Sequence, residues 1–392
     1  TTGIYTLSLH DALPILIREA ALSDINDLLE IENSAFDADR ISRRSFRYLL
    51  TKAKAVTLVY ESNGGVRGYA NLLFHTGTSL ARLYSIAVHA DYADRGMGSE
   101  LLDHIEEIAL QHDCVYVRLE VRSDNTLARK LYERKGYKKI GIIPEYYEDS
   151  MEATRYEKFL PSGRKPELTK VTYYQQTLDF TCGPASLMMA MHALDPSFVM
   201  DRTTELRIWR EATTIFMNSG HGGCSLYGLA LSAYHRGFKV DIYTMEDPLT
   251  FLVDTVRNAE KKEVMRLVQQ DFSEEIASLP IRVKRASLSL DEMESYIRMG
   301  RIPIILISSY RIYREKFPHW IVVTGFDEKY IYCHDSFVDY DRDKSPLDSV
   351  NMPILKKDFE QMAKYGKSGQ KAALLIYRSE EHTSELQSRQ SI

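Results

Sequence analysis

The stretch Gln176 to Met189, QTLDFTCGPASLMM, constrains the chain more than any other, because the helix it opens has no polar face to give to solvent. Ala185, Leu187, Met188, Met189, Met191 and Leu194 make that helix apolar nearly all round, so it must run through the centre of a domain. Pro184 suits a first helical turn, where its missing N–H is no loss. Cys182 therefore stands at the mouth of a buried helix, where partial positive charge and free N–H groups favour a thiolate. Gln176 is a candidate to lend its side-chain amide to an oxyanion hole beside the thiol. A free cysteine is more often a small buried hydrophobe, so Cys182 needs a histidine before it counts as a nucleophile.

HWIVVTGFDEKYIYCHDS supplies one. His319 to Gly325 reads as a strand, Phe326 to Lys329 as a turn and Tyr330 to Asp335 as the returning strand. A turn centred on Asp327 puts His319 directly across from Asp335, and Cβ atoms about 4.5–5.5 Å apart let a carboxylate orient an imidazole. The other ring nitrogen is then free to take the thiol proton.

Together the two motifs resemble the C39-like branch of papain-fold cysteine peptidases, over roughly Val171 to Tyr377. The resemblance implies four roles: Gln176 as oxyanion-hole donor, Cys182 as nucleophile, His319 as base and acid, and Asp335 as orienting carboxylate. Members that cut after paired glycines precede a membrane transporter. No apolar run here approaches the roughly 20 residues of a membrane helix, so that specificity is not carried over.

Upstream, a different pattern rules. Ala55 to Tyr60 and Val66 to Phe74 read as strands joined by Asn63-Gly64-Gly65, Ala81 to Val88 as the next strand, and a helix follows from about Gly98. Val115 to Val121 reads as a strand and Thr126 to Lys135 as a helix closed by Gly136. Asp94-Arg95-Gly96-Met97-Gly98-Ser99 places two glycines between strand and helix, where backbone amides can approach a pyrophosphate.

LYSIAVHADYADRGMGSELL (Leu83 to Leu102), LEVRSDNTLARKLYERKGY (Leu119 to Tyr137) and YYED (Tyr146 to Asp149) resemble the GNAT acetyltransferases, in particular the ribosomal-protein alanine acetyltransferases. That resemblance implies acetyl-CoA as cosubstrate. The edges of Ile86, Ala87 and Val88 would pair with pantetheine, the amides of Arg95, Gly96, Met97, Gly98 and Ser99 would hold the pyrophosphate, and Asn125 would add a coenzyme contact. Glu120 would deprotonate the acceptor amine and Tyr132 would protonate the departing thiolate, since an ammonium cannot attack a thioester and a thiolate leaves better with a proton. One position departs from the family: Ala93 stands where Gln or Arg is usual, and Arg95 is the candidate replacement.

Pro161-Ser162-Gly163-Arg164-Lys165-Pro166 is the polar break between the two patterned regions. The expected organisation is residues 16–160 as the GNAT domain, 161–169 as linker and 170–377 as the C39-like domain. The expected fold class is α/β and α+β: a GNAT fold, with a mixed central sheet and flanking helices, followed by a papain-like cysteine peptidase fold. Thr6 to Ile15 and Arg378 to Ile392 resemble translated sequencing adapters, so residues 1–15 and 378–392 are treated as scars and excluded from the fold.

A net charge of -5 gives no basic footprint, so neither nucleic acid nor a membrane is expected as a partner. Cys114, Cys182, Cys224 and Cys333 lie far apart with no CxxC pair, which points to reduced thiols in a cytoplasmic protein and to no metal. Cys333 and His334 are neighbours on a strand and point to opposite faces, so they would share a zinc with His221 and Cys224 poorly. The function expected is bifunctional: N-acetyl transfer to a peptide or protein N-terminal amine, and Cys-His-Asp peptidase activity. The alternatives are a non-hydrolytic peptide-binding second domain, or a small-molecule amine as acceptor.

Overall fold

The computed structural model describes residues 16–378 apart from 94, 161–165, 215–221, 246–257, 316, 341–343, 345, 366–368 and 370. The adapter-like segment 1–15, all of the segment 378–392 except Arg378, most of the run 161–166 and His221 lie outside the described residues. The chain folds as two compact units.

The first unit runs β1 (Leu16–Glu19), α1 (Ile25–Ala35), α2 (Arg43–Thr51), β2 (Ala55–Ser62), β3 (Gly65–Phe74), β4 (Leu80–Val88), α3 (Met97–Gln111), β5 (Tyr116–Arg122), α4 (Thr126–Arg134), β6 (Lys138–Ile143) and β7 (Ala153–Phe159). They form a seven-stranded sheet in the order β1-β2-β3-β4-β5-β7-β6. The β2–β3 hairpin closes through Asn63 (φ 52°) and Gly64 (φ 73°), the left-handed pair that a two-residue turn demands. Leu101, Leu102, Ile105 and Ala109 of α3 pack with Leu58, Leu72, Leu83 and Val117 of the sheet. Leu28 and Ile31 of α1 and Phe46 of α2 pack with Val59 and Tyr69 in a separate cluster.

β4 and β5 are parallel and pair from Leu80↔Tyr116 to Leu83↔Leu119. Pairing stops there, although β4 continues to Val88 and β5 to Arg122. A register shift between Asn71 and Leu72 on the other side of β4 falls at the same level. The sheet therefore opens a cleft between the C-terminal halves of its central strands, and Glu120 is the first β5 residue beyond the fork.

The second unit runs β8 (Glu167–Leu168), α5 (Cys182–Leu194), α6 (Arg202–Ala212), α7 (Leu226–Tyr234), β9 (Lys239–Thr244), α8 (Ala259–Ser278), β10 (Arg282–Lys284), α9 (Leu290–Arg298), β11 (Ile302–Ser308) and α10 (Tyr310–Tyr313). It continues with β12 (Pro318–Phe326), β13 (Tyr330–His334), β14 (Met352–Leu355), α11 (Lys356–Met362) and β15 (Ala372–Tyr377). The sheet order is β10-β9-β15-β11-β12-β13-β14, with β8 added against β12. Every residue of α5 from Cys182 to Met191 is buried, which fits its lack of a polar face. Ser186, its one buried hydroxyl, donates to the carbonyl of Trp320 at 3.0 Å and so ties α5 to β12.

The β12–β13 hairpin differs from expectation. Phe326 pairs with Ile331, and Asp327 holds the turn by accepting from the amides of Lys329 and Tyr330, both at 2.8 Å. Thr324 is then an extra residue: Gly325 pairs with Tyr332 but Val323 with Cys333 and Val322 with His334. Continuing that register puts Ile321, not His319, opposite Asp335. The later turn centre and the β-bulge together shift the pairing, and His319 reaches Asp335 diagonally.

Candidate active sites

In the second unit, α5 delivers Cys182 and β12 delivers His319. The imidazole Nε2 lies 2.6 Å from Asp335 Oδ1, with both residues buried. The Cys182 sulfur lies close enough to the same ring to act on its charge. Burial opposes charge on His319, but the Asp335 carboxylate and the neighbouring sulfur outweigh it and raise its pKa to about 10. Asp335 is buried too, yet His319, the Tyr313 hydroxyl and the Phe337 amide hold its carboxyl below the usual range. By contrast, burial pushes the Cys114 thiol up to about 12 and raises those of Cys224 and Cys333 as well, which keeps them protonated.

Two residues of this cluster carry no signal in the sequence. Tyr313 Oη donates to Asp335 Oδ2 at 2.6 Å, and its ring meets that of His319 edge-on at 6.0 Å. Ser336 Oγ donates to Gln176 Oε1 at 2.8 Å. Gln176 Nε2 donates to the Leu178 carbonyl at 2.8 Å, which leaves its second N–H uncommitted by that bond. Glu205, fully buried on α6, accepts from the Thr177 amide at 2.9 Å and the Tyr174 hydroxyl at 3.0 Å, and also from the Thr181 hydroxyl. That carboxylate anchors the segment between Gln176 and Cys182. A spacing rule could have found none of these, since each partner lies on a separate element.

His334 is engaged at both nitrogens: Nε2 donates to the Val171 carbonyl at 2.9 Å, and Nδ1 accepts from the Asn351 amide at 3.0 Å. Among the described residues no three side chains are grouped to hold a metal ion, and no helix is long and apolar enough to cross a membrane.

In the first unit, Gly96 takes φ +84° and precedes α3 without a side-chain cap. Its carbonyl accepts from the amides of Ser99 at 2.9 Å and Glu100 at 3.1 Å. Ser99 N–H therefore bonds inside the turn, whereas Met97 and Gly98 precede the first intrahelical donors. Ile86, Ala87 and Val88 lie on the β4 edge beyond the fork. Asn125 caps α4 by accepting from the Ala128 amide at 3.0 Å, so its oxygen is already used.

Tyr132 lies buried on α4, and burial raises its pKa, which keeps the phenol protonated. Glu120 is less free than its spacing suggested. Arg82 Nε meets one carboxylate oxygen at 2.7 Å and Arg155 Nε the other at 2.9 Å, and both arginines are buried. Arg82 Nη2 donates in turn to the Tyr146 hydroxyl at 2.5 Å.

The sequence model of the Peptidase_C39 like family matches residues 171–377, more than half of the 392-residue chain. The chain belongs to that family. The model of the acetyltransferase (GNAT) family matches residues 23–137. An uncharacterized N-acetyltransferase of Methanocaldococcus jannaschii is 30% identical over 153 residues, which are 39% of this chain and 96% of the relative. The ribosomal protein bS18-alanine N-acetyltransferase of Salmonella typhimurium is 39% identical over 67 residues, 17% of this chain and 45% of the relative. The crystal structure of the ribosomal-protein-S18-alanine N-acetyltransferase from Escherichia coli aligns at 24% identity and a TM-score of 0.36, over 39% of this chain and 97% of its own. This member of the Peptidase_C39 like family thus carries a GNAT N-acetyltransferase unit and is an enzyme.

Proposed function

We propose that the chain acts twice on peptides: its first unit acetylates a peptide or protein N-terminal amine from acetyl-CoA, and its second hydrolyses a peptide bond. The peptidase reading rests on one observation, the His319 ring held by Asp335 with the Cys182 sulfur near enough to act on its charge. The ring takes the thiol proton as the sulfur attacks a carbonyl, gives it to the leaving amine as the C–N bond breaks, and water then hydrolyses the acyl-enzyme thioester. The uncommitted N–H of Gln176 and the first amides of α5 are the donors available to the oxyanion.

For acetyl transfer, the fork between β4 and β5, the left-handed Gly96 and the amides of Met97 and Gly98 fit the pantetheine and pyrophosphate of the coenzyme. Acetyl-CoA would supply the activated acetyl group. Tyr132 holds the proton for the leaving thiolate. Glu120 keeps lone pairs beyond its two guanidinium contacts, and it takes the amine proton through those, directly or by way of water. The peptide N-terminus as acceptor follows the similarity to bS18-alanine acetyltransferases. The free cysteines support a cytoplasmic setting.

Incubation of the purified chain with an N-terminal peptide library and acetyl-CoA, read by mass spectrometry, tests both activities. Cleaved and acetylated products are expected. Cys182→Ala should abolish only the former and Tyr132→Phe should lower only the latter. Products unaffected by these variants would remove the reading.

A further inference from the structure

We propose that Tyr313 is a positioning residue of the peptidase site: its hydroxyl fixes the plane of the Asp335 carboxylate, so that the His319 ring meets Cys182 in one orientation. The proposal rests on the peptidase reading of the second unit. Asp335 Oδ1 takes two donors, His319 Nε2 at 2.6 Å and the Phe337 amide at 2.9 Å. Donors on a single oxygen leave a carboxylate able to swing about its last bond, a torsion with a broad minimum. Tyr313 Oη, 2.6 Å from Oδ2, engages the second oxygen and stops that motion. Burial and the neighbouring carboxylate push the Tyr313 phenol up, so it keeps its proton and serves Asp335 as a donor.

The local backbone is built to deliver this hydroxyl. Tyr313 ends α10, a single turn between β11 and β12, and Arg314 behind it takes φ +59°. That left-handed conformation is unfavourable for a residue with a side chain and persists only where its surroundings impose it. Here Ser309, fully buried, donates to the Glu315 carbonyl at 2.6 Å and accepts from the Phe317 amide at 3.2 Å, which ties the two sides of the connection together. The ring has separate work. Tyr313 and Phe317 lie 16° from parallel, and each meets His319 edge-on. Phe337 meets the Tyr313 ring edge-on at 5.1 Å. A phenylalanine at 313 would keep these ring contacts and lose only the donor to Oδ2, so the role of the hydroxyl can be isolated.

A double-mutant cycle on the full chain tests the assignment, with wild type, Tyr313→Phe, Asp335→Ala and the double variant. Two rates are read: hydrolysis of a library peptide that wild type cleaves, and alkylation of Cys182 by iodoacetamide, located by peptide mapping. Tyr313→Phe is expected to lower kcat by about tenfold or more with KM unchanged, the scale of one hydrogen bond to a charged group, and to slow alkylation in step. In the Asp335→Ala background the same change should move alkylation little, because a hydroxyl that acts through the carboxylate has nothing left to position. Equal losses in the two backgrounds overturn the proposal. So does a Tyr313→Phe chain that melts earlier yet keeps wild-type kcat, or one that raises KM alone. Should Asp335→Ala not fold, the kcat and KM of Tyr313→Phe decide the matter by themselves. A wild-type chain that cleaves no peptide, with Cys182 alkylated no faster than a free thiol, removes the peptidase reading and the proposal with it.

Discussion

The Ser336 hydroxyl donates to Gln176 Oε1 at 2.8 Å, one residue after Asp335 takes hold of His319. Two consecutive side chains therefore hold both halves of the proposed peptidase site, the His319 ring and the Gln176 amide.

Ser336→Ala should leave the Gln176 amide held only by its bond to the Leu178 carbonyl. The expected result is a fall of about tenfold in kcat on a peptide substrate with KM little changed, the scale of one lost hydrogen bond. Gln176→Ala, which removes the donor itself, should cost about 10²–10³ in kcat. Steady-state kinetics on the two variants check this, and a Gln176→Ala enzyme as fast as wild type would rule out an oxyanion role.

The His319–Asp335 pair predicts how stability depends on pH. His319 keeps its proton up to about pH 10 when folded, whereas an unfolded histidine loses it near 6.5. Its contribution is thus full below about pH 6.5 and declines until pH passes about 10. Asp335 is held low, so its contribution is present above the ordinary aspartate value and disappears as pH falls through the folded one. Thermal melts across alkaline pH should fall more steeply for wild type than for His319→Ala. Parallel curves would deny the pair its charge.

Tyr132→Phe removes the protonated phenol from α4 while keeping its ring packing against Tyr137 and Tyr156. A drop of about 10²-fold or more in acetyl transfer is expected, with acetyl-CoA affinity unchanged. Separate measurement of turnover and coenzyme binding checks it. A fall in affinity alone would assign Tyr132 to binding.

Gly228 of α7 lies where a Cβ would stand 2.6 Å from Ala212 Cα and 2.8 Å from its carbonyl oxygen. Backbone cannot yield as a side-chain tip can, so Gly228→Ala must push α6 from α7. A loss of about 1–3 kcal/mol is expected in urea unfolding of the variant. Unchanged stability would mean that the helix pair is looser than its packing indicates.

Much of this was legible in the residues. Periodicity located β4, α3, β11 and the buried α5, because each buries a face that its own sequence declares. The left-handed turn at Asn63-Gly64 was equally plain. Other features depend on partners far away in the chain. α8 escaped notice because its apolar residues are diluted among charged ones, with only Met265, Gln269, Phe272 and Ile276 buried. Tyr313 and Ser336 gain meaning only when tertiary packing brings them to Asp335 and Gln176. Arg82 and Arg155 similarly reach Glu120 across neighbouring strands, and nothing in the LEVR motif announces that its glutamate has two cations for company.

The bulge at Thr324 carries a consequence for how this hairpin can vary among relatives. Side chains alternate along a strand, so gain or loss of a single residue between His319 and the turn would rotate the imidazole away from Asp335. Changes in length here are tolerable only as compensating pairs, one on each strand, or beyond the Asp327 turn. Aligned family members should therefore show gaps at Glu328 and Lys329 far more readily than at Thr324, and a chain lacking the bulge residue alone should have lost the counterpart of His319 or Asp335 as well.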